Sequence, residues 1–117
     1  MSEQPTPVGV WTGTATHDGK ADPFTIVFGV DGTVVLTTPI STGTGKWSAD
    51  GDRRFGYRIR EHLGTSDLPF SHVDIEVAAE LAETTYSGTG TAEIYGKDGT
   101  LRHVTTDAVV AAQRQVD

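Results

Sequence analysis

Apolar and polar residues alternate along most of this chain, and the alternation breaks at short Asp-Gly, Gly and Pro stretches. A period of two marks strands with one buried face. In Gly9-Val10-Trp11-Thr12-Gly13-Thr14, continuing to His17, the even positions carry Val10 and threonines suited to an outward pleated face. That turns Trp11 and Ala15 inward. After a polar loop at 18–22, a second strand over 23–30 places Phe24, Ile26, Phe28 and Val30 on one face. Asp31-Gly32 predicts a type I′ hairpin turn, which needs positive φ at both central residues. A third strand over 33–38 points Val34, Leu36 and Thr38 inward and stops at Pro39, which has no N–H for the ladder.

The pattern continues to the C-terminal end. A fourth strand (42–49) has Gly43, Gly45 and Trp47 in phase, and Asp50-Gly51 turns the chain. The fifth (53–62) sets Phe55, Tyr57 and Ile59 against Arg54, Arg58 and Arg60. A longer loop, 63–69, precedes the sixth (70–81), where Val73, Ile75, Val77, Ala79 and Leu81 oppose His72, Asp74, Glu76 and Glu80. Residues 77–83 have some helix-forming character, but the alternation leading into them favours strand. The seventh (84–95) aligns Tyr86, Gly88, Gly90, Ala92 and Ile94, and 96–99 is a turn. In the eighth (101–112) the better inward set is Val104, Thr106, Ala108 and Val110, although Leu101 and Val109 fall on the other face.

Eight short strands joined mainly by tight turns predict an all-β, antiparallel, up-and-down meander. Closure into a barrel protects its edges, and glycines at 13, 43, 45, 88 and 90 let strands coil sharply. A two-sheet sandwich is the alternative. The expected organisation is a disordered lead at 1–7, one barrel domain at 8–114 and a tail at 115–117.

A meander also sorts its inward residues by height. The end with turns 31–32, 50–51 and 82–83 is a floor filled by Trp11, Phe28, Val34, Trp47, Phe55, Leu81, Tyr86 and Val110. The other end, the mouth, carries loops 18–22, 39–41, 63–69 and 96–99. Its inward residues are Ala15, Phe24, Thr38, Gly43, Ile59, Val73, Ala92, Val104 and Thr106, mostly smaller. Eight-stranded barrels have room either to fill with side chains or to hold one small ligand. These mouth residues, together with Tyr57, are therefore the candidate ligand-binding set. If the barrel closes, Arg114 lies beside Trp11, where a guanidinium stacks on an indole.

Gly9-Val10-Trp11 near the start with Arg114 after the last strand resembles the Gly-x-Trp and closing Arg of the lipocalin/calycin superfamily. That resemblance implies an eight-stranded meander barrel binding small hydrophobic molecules. The architecture also resembles bacterial allene-oxide-cyclase-like barrels, some of which catalyse cyclisations without a cofactor.

Composition narrows the partners. The formal net charge of −7 argues against nucleic acid or an anionic membrane surface as partner. Cysteine is absent, so disulfides, thiol nucleophiles and thiolate metal sites are excluded. No apolar run is long enough for a transmembrane helix and the first residues lack a signal-peptide core, which predicts a cytoplasmic protein. Absent Asn, with six Arg to three Lys and abundant Ala, Gly, Thr, Val and Asp, suits a high-GC bacterium.

Candidate chemistry is sparse. His17, His62, His72 and His103 all map to the mouth, but His62 and His72 fall in the outward phase and no metal-ligand spacing occurs. Solvated rim histidines are the plain reading, and His17 is the candidate acid/base group. Tyr57 and Tyr86 point inward, where a hydroxyl could meet a ligand carbonyl or act as an acid. Arg54, Arg58 and Arg60 face Asp74, Glu76 and Glu80 as a solvated cross-strand ladder. No cofactor motif, metal set or catalytic triad is present. Three readings follow: a barrel binding a small apolar or amphipathic molecule, a cofactor-independent cyclase or isomerase using the same cavity, and a filled-core interaction module. A homodimer is the one self-association considered.

Overall fold

The structure, a computed structural model, describes residues 6–63 and 70–115. The described residues form eight strands: β1 (Gly9–His17), β2 (Lys20–Phe28), β3 (Thr33–Thr37), β4 (Ser41–Ala49), β5 (Arg54–Leu63), β6 (Phe70–Leu81), β7 (Thr85–Gly96) and β8 (Leu101–Arg114). Each pairs antiparallel with the next and β8 pairs with β1, so the sheet closes into a barrel. The sandwich alternative is thereby excluded. Among the described residues no helix is long and apolar enough to cross a membrane. The predicted 63–69 loop lies, from 64 onward, outside the described residues, as do residues 1–5 of the predicted lead.

Glycine permits the close strand approach that closure requires. A Cβ on Gly45 would run into the Arg58 carbonyl, and one on Gly13 into the Ala111 carbonyl. The seam between the last and first strands is in register from Trp11↔Arg114 to Thr16↔Val109. At the floor, Arg114 stacks over Trp11, its guanidinium carbon 4.3 Å from the ring centroid. Its two terminal nitrogens donate to the carbonyls of Val8 (2.6 Å) and Thr6 (2.7 Å). The Trp11 indole N–H donates to the Pro7 carbonyl at 2.8 Å. Thr6 and Pro7 are thus tied to the floor.

Above this closure lies an aromatic cluster. Trp11 meets Tyr86 edge-on at 5.1 Å, Phe28 meets Phe55 at 5.4 Å and Tyr57 at 5.2 Å, and Phe55 meets Tyr86 at 5.2 Å. Trp11, Phe28, Val34, Phe55, Leu81 and Tyr86 are all buried, as the floor assignment predicts. On the outer face the ladder has the predicted partners: Arg54↔Glu80, Arg58↔Glu76 and Arg60↔Asp74 stand directly opposite. Arg60 grips Asp74 with two nitrogens, at 2.8 and 3.1 Å.

Three expectations are corrected. First, the type I′ geometry belongs to Asp18-Gly19, with φ of 49° and 77° between the paired His17 and Lys20. At Asp31-Gly32 only Gly32 has positive φ (90°), and the Gly29 and Thr33 backbones close a three-residue loop. The Asp31 carboxylate accepts from the Thr33 amide (3.1 Å) and hydroxyl (2.6 Å), which fixes Asp31 in that turn. Gly96-Lys97-Asp98-Gly99-Thr100 repeats the same G-x-D-G-T turn, with the Asp98 carboxylate on Thr100. Val30 consequently sits in the turn, 87% exposed, and not on the inward face of β2.

Second, Val104 and Thr106 are exposed. The β7–β8 register shifts between Gly90 and Ala92, where Thr106 and Asp107 together oppose Thr91. This bulge inverts the phase of the strand beyond it, so Thr105 turns inward and is buried instead. Third, Val110 is not a floor residue. It pairs with Ala15, well above the Trp11↔Arg114 contact.

Candidate ligand-binding site

The mouth half of the barrel encloses a cavity of about 350 Å³. Its wall is mostly hydrocarbon: Ala15, Pro23, Phe24, Leu36, Ile40, Ile59, Val73, Ile75, Val77, Ile94 and Val110, with Tyr57 also on the wall. Polar side chains at its rim come from His17, Asp22, Thr38 and Glu61. Of the ten predicted ligand-binding residues, Ala15, Phe24, Thr38, Tyr57, Ile59 and Val73 lie on this wall. Gly43 and Ala92 share the inward phase without lining the cavity, and Val104 and Thr106 face outward for the reason given above. A larger depression of about 600 Å³ crosses the outer surface near Gly56, between Lys46, Arg58, Glu76 and Thr89. It is an open trough whose Arg58 and Glu76 already pair with each other, so the interior cavity is the better site.

Two polar groupings at the rim were not legible as sites. Because the Asp18-Gly19 turn is tight, β2 begins at Lys20, and Asp22 falls in phase with Phe24 opposite Ala15. There Asp22 accepts from, or shares a proton with, His17 Nε2 at 2.7 Å. The other ring nitrogen, Nδ1, lies 3.6 Å from Asp18, which is also 3.6 Å from His103 Nε2. His17 is therefore flanked by two carboxylates. On β5, Glu61 continues the inward series Phe55, Tyr57, Ile59 and reaches the cavity wall. It accepts a hydrogen bond from the Ser41 hydroxyl, which is buried and stands 2.5 Å from the Thr38 hydroxyl. Since Ser41 donates to Glu61, Thr38 donates to Ser41, and the relay fixes one carboxylate oxygen. Among the described residues no cation pairs with Glu61.

Deeper in, the Tyr57 and Tyr86 hydroxyls stand 3.1 Å apart. Burial pushes the Tyr57 phenol up to about 12 and raises the Tyr86 phenol as well, so both stay protonated in the folded protein. The remaining histidines sit on the outer face: His62 and His72 are directly opposite in the β5–β6 register, and His72 stacks on Tyr95 at 4.7 Å. Among the described residues no group of three His, Asp or Glu side chains is arranged to hold a metal ion.

No protein-family model, curated protein or solved structure matches the chain. The class defined by the fold alone is a closed, eight-stranded, all-antiparallel β-barrel.

Proposed function

We propose that the barrel binds a small, mostly apolar molecule through its mouth. One observation carries this reading: aromatic rings fill the floor, while about 350 Å³ above them is walled by aliphatic side chains. Small-molecule pockets of roughly 300–1,000 Å³ have this apolar wall with a few placed polar groups. The stacked Trp11–Arg114 pair supports kinship with the lipocalin/calycin superfamily, and the composition supports a bacterial, cytoplasmic setting. A filled-core module would need the mouth half packed, and the cavity weighs against it.

The test is binding of the neutral fluorophore N-phenyl-1-naphthylamine, together with native mass spectrometry of the protein as purified. Saturable fluorescence enhancement, or a co-purifying small molecule, supports the reading. No binding of the fluorophore and no bound mass would sink it.

A second reading, a cofactor-independent cyclase or isomerase, draws on one observation: His17 is held 2.7 Å from Asp22 on the cavity wall. A carboxylate that orients an imidazole is the arrangement general-base chemistry uses. Turnover of a bound polyene or epoxide that is lost in His17→Ala, with binding retained, would favour it over simple binding.

A further inference from the structure

The rim has a definite charge character. Among the described residues its ionisable groups are Glu61, Asp22 and His17, and neither Lys nor Arg lines the cavity. Glu61 is only partly exposed, has one oxygen fixed by Ser41, and has no cationic partner among the described residues. A carboxylate on an apolar wall without a counter-charge favours a ligand that brings one.

An independent feature also points to a ligand. Tyr57 is 5% exposed, lines the cavity and shares a single hydrogen bond with Tyr86. Two hydroxyls in one bond use one proton, so the second phenolic proton has no protein acceptor among the described residues. Either hydroxyl can donate in this bond, and in the arrangement where Tyr86 donates the remaining proton belongs to Tyr57, on the cavity wall. A buried donor left this way costs free energy until it meets an acceptor.

We propose that the cavity takes a protonated amine on an apolar body, its ammonium held at the mouth by Glu61 with Asp22 as the second anion. This rests on the reading of the barrel as a small-molecule binder and adds the ligand's charge. An ammonium satisfies the free Glu61 oxygen, and the hydrocarbon part takes the place of water along Ile59, Val73 and Ile75. An acceptor atom at the inner end of the ligand, such as an ether or carbonyl oxygen, would receive the Tyr57 proton.

The experiment is displacement of N-phenyl-1-naphthylamine by octylamine, octan-1-ol and octanoate near neutral pH, where the amine is cationic. Octylamine is expected to compete at least about tenfold better than octanol, and octanoate worst. Glu61→Gln should remove most of the amine's advantage over octanol, and a cooperative urea transition shows that the variant folds. Asp22→Asn should reduce the advantage by a smaller factor. Equal competition by amine and alcohol, or octanoate competing best, overturns the charge assignment while the binding reading stands. Failure of the fluorophore itself to bind removes the binding reading, and this inference with it.

Discussion

Arg114 and Trp11 lie directly opposite across the seam where the last strand meets the first, with the guanidinium 4.3 Å over the indole. The pair closes the barrel covalently distant ends together and seals the floor under the aromatic cluster. The guanidinium also holds the carbonyls of Val8 and Thr6, so one side chain ties three segments. Arg114→Ala is expected to lower the unfolding free energy by about 2–3 kcal/mol, from the cation–π contact and the charge-assisted hydrogen bonds. Arg114→Lys keeps the charge but not the planar fork and should fall between the two. Urea midpoints at unchanged m-value measure both. A loss in Arg114→Ala no larger than for an ordinary surface substitution would show that the seam does not depend on this residue.

The Tyr57–Tyr86 pair makes a prediction about coupling. Tyr57→Phe leaves the Tyr86 hydroxyl buried without its partner, at a cost of about 1–3 kcal/mol. Removing both hydroxyls removes the stranded group as well, so Tyr57→Phe/Tyr86→Phe should cost less than the two single changes summed. A double-mutant cycle measures the difference.

The same pair sets an alkaline limit. The folded Tyr57 phenol is raised from 10.0 to about 12, so the unfolded chain loses this proton first. Its contribution to stability is complete below pH 10.0 and is lost as pH rises toward about 12. Urea midpoints should fall across that interval in the wild type and fall less in the doubly substituted variant.

At acid pH the ladder acts in the opposite direction. Hydrogen bonding from Arg60 holds the Asp74 carboxyl below the usual carboxylate range. A lowered folded pKa means stability that is present above the unfolded pKa and lost as pH falls through the folded one. The pair is solvent-facing, so its effect is small and screened by salt. Asp74→Asn should be slightly less stable than wild type at neutral pH. That gap should close in acid and narrow in concentrated salt, as urea titrations at several pH values would show.

Much of this architecture is legible in the alternation, because closure, strand order and the Arg114–Trp11 contact follow from period and topology. What stayed hidden depends on single-residue changes of phase. The tight Asp18-Gly19 turn moves Asp22 from a loop onto the cavity wall, and an Asp-Gly pair was as visible there as at Asp31-Gly32. Thr33, whose hydroxyl and amide both bind the Asp31 carboxylate, separates the two cases. The β8 bulge that turns Thr105 inward left no trace in the pattern, since Leu101 and Val109, the apolar residues opposite the chosen set, both stay exposed. Glu61 could have been found by continuing Phe55, Tyr57 and Ile59 for two more residues. An acidic side chain simply does not register as a core position.

The division between a filled floor and a hollow mouth can be tested by adding the same side chain to each. Ala15 borders the cavity, whereas Val34 is 1% exposed within the packed cluster. A phenyl ring at 15 enters existing space and gains apolar contact, so Ala15→Phe should change stability by no more than about 1 kcal/mol. It should also weaken fluorophore binding by about tenfold or more, since it occupies the volume the ligand needs. A phenyl ring at 34 has no such space and must displace its neighbours, at about 1–3 kcal/mol. Because the strain falls away from the cavity, Val34→Phe should leave binding close to wild type under conditions where it is folded. The paired result, binding lost without stability in one variant and stability lost without binding in the other, is expected only if the two halves of the barrel differ as described. Equal destabilisation by both substitutions would mean that the mouth half is packed as tightly as the floor.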